Sequence, residues 1–132
     1  MFYKNKVIWI TGGSSGIGEA MTKQLNSEGA KVIISARRME ELQRVKNSCK
    51  FPNNVDCVVL DVTDIVAVNQ TAEKLLERYH KIDISILNAG VSQRSLAADT
   101  ALSVDKRIMN INYFGAISVT KALLPSMIQH QL

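Results

Sequence analysis

With 132 residues, 46% of them hydrophobic and 21% charged, the chain has the composition of one packed globular domain and is excluded from the disordered classes. Its net charge of +4 comes from 16 scattered basic residues against 12 acidic ones, without the clustered aromatics of a nucleic-acid surface; it biases the chain only mildly toward phosphorylated small molecules. Cys49 and Cys57 form no CxxC pair and have no His/Cys cluster around them, which argues against a zinc site or a disulfide framework and for a reducing compartment.

The first element is the apolar run Val7-Ile8-Trp9-Ile10, read as a buried strand. Lysines at Lys4 and Lys6 precede it, but the run is too short for a signal peptide or a membrane span, so a cytoplasmic location is expected. A glycine-rich turn and a helix follow. Lys31 to Ser35, Val55 to Leu60 and Ile82 to Leu87 are three more runs of strand character, separated by helical patterns. The clearest helix spans Asp64 to about Tyr79, with Ile65, Val68, Ala72, Leu75 and Tyr79 on one stripe and Thr63 as the expected N-cap. The last third, from Thr100 to Leu132, reads as mostly helical. Ile108, Ile111, Gly115, Val119 and Leu123 recur on one side, and Pro125 is expected to bend it. Alternating strands and helices predict parallel strands joined by right-handed crossovers: an α/β, doubly wound sheet with its ligand site at the carboxyl ends of the strands.

The stretch after the first strand, Thr11-Gly12-Gly13-Ser14-Ser15-Gly16-Ile17-Gly18-Glu19, admits three readings. A nucleotide P-loop needs a lysine and a hydroxyl after its last glycine. Glu19-Ala20 stand there, putting a carboxylate where phosphate charge would lie. A nucleophile elbow is the rival, because Gly12 to Gly16 fits G-x-S-x-G on a strand-to-helix turn. It lacks partners: eleven residues before Gly12 leave no room for an oxyanion-hole loop, and His80 and His130 are the only histidines. The third reading is a dinucleotide-binding turn, spaced Gly12-x-x-x-Gly16-x-Gly18 rather than G-x-G-x-x-G. Its mechanics are a tight turn, close backbone approach to a pyrophosphate, and a helix N-terminus aimed at the anion, with Ser14 and Ser15 hydroxyls beside it.

The end of the second strand reads Ser35-Ala36-Arg37-Arg38. An acidic residue at this place in such folds accepts from the adenosine ribose of NAD, whereas arginine suits a 2′-phosphate. Charge-assisted guanidinium-phosphate bonds of about 1.5 to 3 kcal/mol each favour NADP(H) over NAD(H) tenfold or more. Arg37 is the first candidate and Arg38 the second; the competing reading is a solvated pair opening the next helix.

Taken together, these residues resemble the short-chain dehydrogenase/reductase family. Thr11-Gly12-x-x-x-Gly16-Ile17-Gly18 is similar to its cofactor signature. Asp61-Val62 resembles the pair that meets the adenine ring, and Asn88-Ala89-Gly90 the N-A-G motif near the nicotinamide-side ribose. Asn112-Tyr113-Phe114-Gly115 resembles the N-h-x-G segment whose asparagine joins a water-linked proton relay. Four motifs in family order cover nearly the whole chain. Leu87 departs from the pattern, standing where many members carry another asparagine. Read locally, Asp61 could cap a helix with Thr63, Asn88 could be a turn residue, and Asn110 competes with Asn112, although the register of Gly115 favours Asn112.

The resemblance implies reversible hydride transfer between a nicotinamide cofactor, NADP(H) preferred and NAD(H) possible, and an alcohol or carbonyl substrate. In the family a serine, a tyrosine and a lysine four residues after the tyrosine move the proton. Here Tyr3, Tyr79 and Tyr113 are followed at that spacing by Val7, Asp83 and Ile117. The chain is therefore expected to be a single NAD(P)-binding domain over residues 1–132, incomplete at its C-terminus, inactive alone, and self-associating through its fourth strand or last helix. The alternative is a non-catalytic nucleotide-binding or interaction module.

Overall fold

The computed structural model describes residues 2–132. Strand β1 (Val7–Thr11) is buried at every position and occupies an interior place in the sheet. It pairs in parallel with β2 (Lys31–Ala36), from Val7 opposite Lys31 to Thr11 opposite Ser35. On its other side it pairs in parallel with β4 (Ile84–Leu87), from Ile8 opposite Ile84 to Thr11 opposite Leu87. Strand β3 (Val55–Val59) adds to β2, giving the order β3-β2-β1-β4. This is the parallel, doubly wound α/β sheet that the alternation predicts, and its order reverses between β1 and β4.

Side chains alternate across the sheet because the strand period is two. Ile8, Ile10, Val32 and Ile34 point to one face, where α1 (Gly16–Ser27) contributes Met21 and Leu25, and α2 (Met39–Ser48) contributes Leu42 and Val45. Trp9 and Ile33 point to the other, against Val68, Ala72 and Leu75 of α3 (Ile65–Tyr79) and Val119 and Leu123 of α5 (Ala116–Gln129). Full burial of each such aliphatic side chain is worth about 1.5–3 kcal/mol, so the interior strands β1 and β2 dominate stability. Residues of β4 are only partly buried, and Leu87 is exposed.

Several local expectations are corrected. Thr63 is not the cap of α3: its hydroxyl and N–H both donate to Asp61 Oδ1, and Asp64 caps instead by accepting from the Ala67 N–H at 3.0 Å. Ile65 therefore sits at the first helical position and is exposed, while Val68, Ala72 and Leu75 carry the buried stripe. The fourth strand begins at Ile84 rather than Ile82. Just before it, Asp83 bonds Val7 twice, its N–H to the Val7 carbonyl at 2.9 Å and its Oδ2 from the Val7 N–H at 2.8 Å. Helix α5 runs through Pro125 without interruption. The irregularity lies upstream, where α4 (Leu102–Met109) passes into α5 by a π-helical segment, Asn110–Gly115.

Among the described residues no helix is long and apolar enough to cross a membrane. Cys49 and Cys57 are free, and burial pushes both thiols up from their usual range.

Candidate functional site

The turn between β1 and α1 is built by hydrogen bonds to its neighbours. The Gly12 N–H donates to the Ser35 carbonyl at 2.8 Å and the Gly13 N–H to the same oxygen at 3.3 Å, folding the turn back on the end of β2. Gly12 has φ +70° and Gly16 φ +54°, a region where a side chain is strained. Gly18 is required for a different reason: a Cβ there would collide with the Gly12 carbonyl oxygen and come within 2.6 Å of Asn88 Nδ2. The glycine spacing thus lets α1 start hard against the turn. Ser15, extended at φ −160°, stands at the N-cap with its hydroxyl making no capping bond, and Ser15, Gly16 and Ile17 are exposed at the opening of the helix. The first amides of any helix lack partners within it, so this turn presents donors to the space above the sheet.

The end of β4 is tied to the same turn. Thr11 Oγ1, buried, accepts from the N–H of Asn88 at 3.1 Å and of Ala89 at 3.2 Å. Asn88 Nδ2 donates to the Gly12 carbonyl at 3.0 Å. Ala89 lies so close that a Cβ on Gly12 would fall 2.8 Å from its Cα. Asn88 is thus the brace between the two strand ends, which a reading as an ordinary turn residue misses.

These ends open into a cleft of about 900 Å³ across the carboxyl edge of the sheet. Gly12, Ser14, Ser15, Gly16 and Ile17 line one side, with Arg37 and Arg38 beyond β2, Asp61 and Val62 beyond β3, and Asn88, Ala89 and Gly90 beyond β4. Gly18 lies beneath, buried. Asp61 is held below the usual carboxylate range by the hydroxyl and then the N–H of Thr63, helped by the Arg37 charge. It remains ionised and is fixed by its own turn.

Asn112 lies in the π-helical segment with both side-chain atoms engaged. Its Oδ1 accepts from the Val91 N–H at 2.8 Å and its Nδ2 donates to the Val91 carbonyl at 2.7 Å. Gly90 permits this, since a Cβ there would stand 3.3 Å from Asn112 Oδ1. Gly115 seats the segment on β3's end, where a Cβ would meet Val62 Cγ2 at 2.6 Å. Of the two asparagines, Asn112 takes the clamping place and Asn110 lines the cleft.

Sequence reasoning misses two groups. Arg44, on α2, donates through Nη2 to the Ser14 carbonyl at 3.0 Å and to Glu19 Oε1 at 2.9 Å, and through Nε to Glu41 Oε2 at 2.9 Å. Bonds from Arg44, then from Lys23, bring the Glu19 carboxyl down to about 2. Glu19, whose carboxylate argues against a P-loop, thereby braces the turn. The second group is Ser103, Lys106 and Arg107, which line the cleft together with Asn110 and Ile111. Their spacing of i, i+3, i+4, i+7, i+8 is a single helical face, the signal that could have found them.

Comparison with known proteins gives a consistent picture. The family model described as short chain dehydrogenase matches residues 6–131. The human protein named Dehydrogenase/reductase SDR family member 7 is 42% identical over 130 residues, covering 95% of this chain and 38% of that protein. A short-chain dehydrogenase from Streptomyces avermitilis superposes with a TM-score of 0.90 at 32% identity, over 96% of this chain and 46% of that one. The 3-ketoacyl-(acyl-carrier-protein) reductase from Brucella melitensis, complexed with NADH, gives 0.88 at 29% identity, over 96% and 52%. The chain thus spans about two fifths of the length of the curated relatives it matches.

Proposed function

The chain belongs to the short-chain dehydrogenase family, and from that premise we propose that residues 1–132 form one NAD(P)-binding domain of an oxidoreductase that prefers NADP(H) and accepts NAD(H) less well. The observation that carries this reading is the cradle beneath the cleft: glycines where a Cβ would strike Ala89, Asn88 or the turn's own carbonyl, below exposed amides and an uncapped Ser15 hydroxyl. A pyrophosphate fits such a surface because it needs close donors and tolerates no side chain between them and itself.

In this reading Gly12, Ser14, Ser15, Gly16, Ile17 and Gly18 hold the pyrophosphate. Arg37, with Arg38 beside it, faces a 2′-phosphate, which the absence of an acid after β2 favours. Asp61 and Val62 border the adenine, and Asn88, Ala89 and Gly90 the ribose on the nicotinamide side. The bound cofactor supplies hydride chemistry toward an alcohol or carbonyl carbon. Asn112 holds Val91 with one acceptor and one donor of its exposed side chain, which leaves its second N–H and lone pair for the water-linked relay that the resemblance assigns to it. No tyrosine here has a lysine four residues on, and these 132 residues alone are expected to give negligible turnover. Exposed Leu124 and Ile128 on α5 and the unpaired side of β4 support self-association.

Calorimetric titration with NADPH and NADH, repeated on Arg37→Ala, tests the assignment. Affinity for NADPH is expected to fall by about tenfold and that for NADH to hold, as loss of one charge-assisted phosphate contact requires. Equal loss for both nucleotides, or binding of neither by the unaltered chain, would overturn it. Sedimentation of the chain as a stable monomer at high concentration would remove the self-association claim.

A further inference from the structure

Helix α4 turns one face toward the cleft, and that face carries two cations. Ser103, Lys106, Arg107, Asn110 and Ile111 line the cavity, whereas Asp105 and Met109, on the other side of the same helix, do not. Four cationic side chains, Arg37, Arg38, Lys106 and Arg107, therefore border a cavity whose only acidic lining residue, Asp61, is already committed to Thr63. Among the described residues none of the four takes part in an ion pair.

The ordinary reasons for basic residues on a helix do not account for Lys106 and Arg107. Intrahelical pairing needs an acid three or four residues away. Lys106 has Leu102, Ser103, Met109 and Asn110 at those places, and Arg107 has Ser103, Val104, Asn110 and Ile111. Compensation of a helix dipole needs a C-terminus nearby. None is near, because the chain continues in helical conformation through Asn110 and Ala116 into α5.

The root of α4 locates this wall. Gly115, the last residue of the π-helical segment that continues α4, packs on Val62, next to Asp61 in the loop after β3, the strand that neighbours β2 with its Arg37 and Arg38. In a sheet of this winding, the end of β2 is where the adenosine ribose is read. We propose that Lys106 and Arg107 form a second cationic wall of the nucleotide cleft and, with Arg37 and Arg38 opposite, select a nucleotide whose adenosine carries a 2′-phosphate. This rests on the nucleotide reading above and extends it to a helix that the glycine turn does not touch.

The test uses the whole 132-residue chain and calorimetry with three probes: NADPH, NADH and adenosine 2′,5′-bisphosphate. In the double variant Lys106→Gln with Arg107→Gln, glutamine keeps helix propensity, and circular dichroism checks the fold. Affinity for NADPH and for the bisphosphate is expected to drop about tenfold while NADH stays within about twofold; Lys106→Arg with Arg107→Lys should keep most of the NADPH affinity. Equal losses for NADPH and NADH would overturn the proposal, placing the wall at a group both nucleotides share. No loss for any probe would also overturn it and leave the cations to an anionic substrate. Arg37→Ala run in parallel separates the two claims. A selective NADPH loss there with none in the glutamine double variant sinks only the second wall, whereas an unaltered chain that binds neither nucleotide sinks both.

Discussion

The two walls of the cleft are made in opposite ways. The glycine turn is fixed by main-chain contacts: the Gly12 and Gly13 amides on Ser35, Thr11 Oγ1 between two amides, Asn88 on the Gly12 carbonyl. The α4 wall has no such ties; its cations stand exposed on a helix face. A surface made of backbone recognises a ligand by shape and cannot be altered without disturbing the fold. A surface made of long side chains recognises by charge and can be altered freely. Stability and affinity should therefore move together on the first wall and separately on the second.

The largest effect should come from Gly18→Val. The added atoms collide with the Gly12 carbonyl and Asn88, costing about 3 kcal/mol or more in urea unfolding, with nucleotide binding lost alongside. Thr11→Val is milder. It keeps the shape but leaves the Ala89 amide without its acceptor and the Asn88 amide with the Ile86 carbonyl alone, an expected loss of about 1–3 kcal/mol, and binding should weaken in parallel. If either variant lost affinity at full stability, the coupling claimed for this wall would fail.

The two asparagine clamps sharpen the same contrast. Asn26 holds Phe51 through both its N–H and its carbonyl, at 2.9 and 2.8 Å, from a fully buried position, whereas Asn112 makes the same pair of bonds to Val91 where water reaches them. Asn26→Ala should cost about 2–4 kcal/mol and Asn112→Ala about 1 kcal/mol, since only the buried groups are left unsatisfied. Equal costs in chemical denaturation would show that exposure does not govern the clamps.

Acid provides the smallest probe. The Glu19 carboxyl in the folded chain titrates at about 2, below its ordinary 4.5, because Arg44 and Lys23 donate to it. The stability it contributes is thus complete above pH 4.5 and is lost as pH falls toward 2. Both partners are largely exposed, so the effect is modest. Glu19→Gln should flatten this part of the stability-pH curve; an unchanged curve would remove Glu19 from the bracing of the turn.

What was readable beforehand follows the same division. The parallel, doubly wound sheet and the glycine turn after its first strand could be read because apolar runs alternating with helical patterns, and glycines at a strand end, are local to the sequence. Asp61, Asn88 and Asn112 were singled out by resemblance, and the structure shows only what each is bonded to. Arg44 could not be read, since its bonds to Ser14 and Glu19 join residues far apart in the chain. Lys106 and Arg107 show their common face in the spacing, but nothing in that spacing says which side of the helix meets the cleft. Thr63 and Asp64 are both good caps, and the choice between them fell to Asp61, which draws the threonine hydroxyl away. Pro125 calls for a bend, and α5 runs on through it, while the π-helical turn falls where Asn112 and Gly115 are held by Val91 and Val62.

The chain has one tryptophan, Trp9, fully buried, whose indole N–H donates to Ser35 Oγ at 3.1 Å. Ser35 is the residue whose carbonyl anchors the glycine turn. An optical reporter is thus wired to the floor of the cleft without any label. Its emission wavelength and intensity should register whatever settles on that turn, and quenching by a bound pyridine nucleotide would give a direct readout in a cuvette.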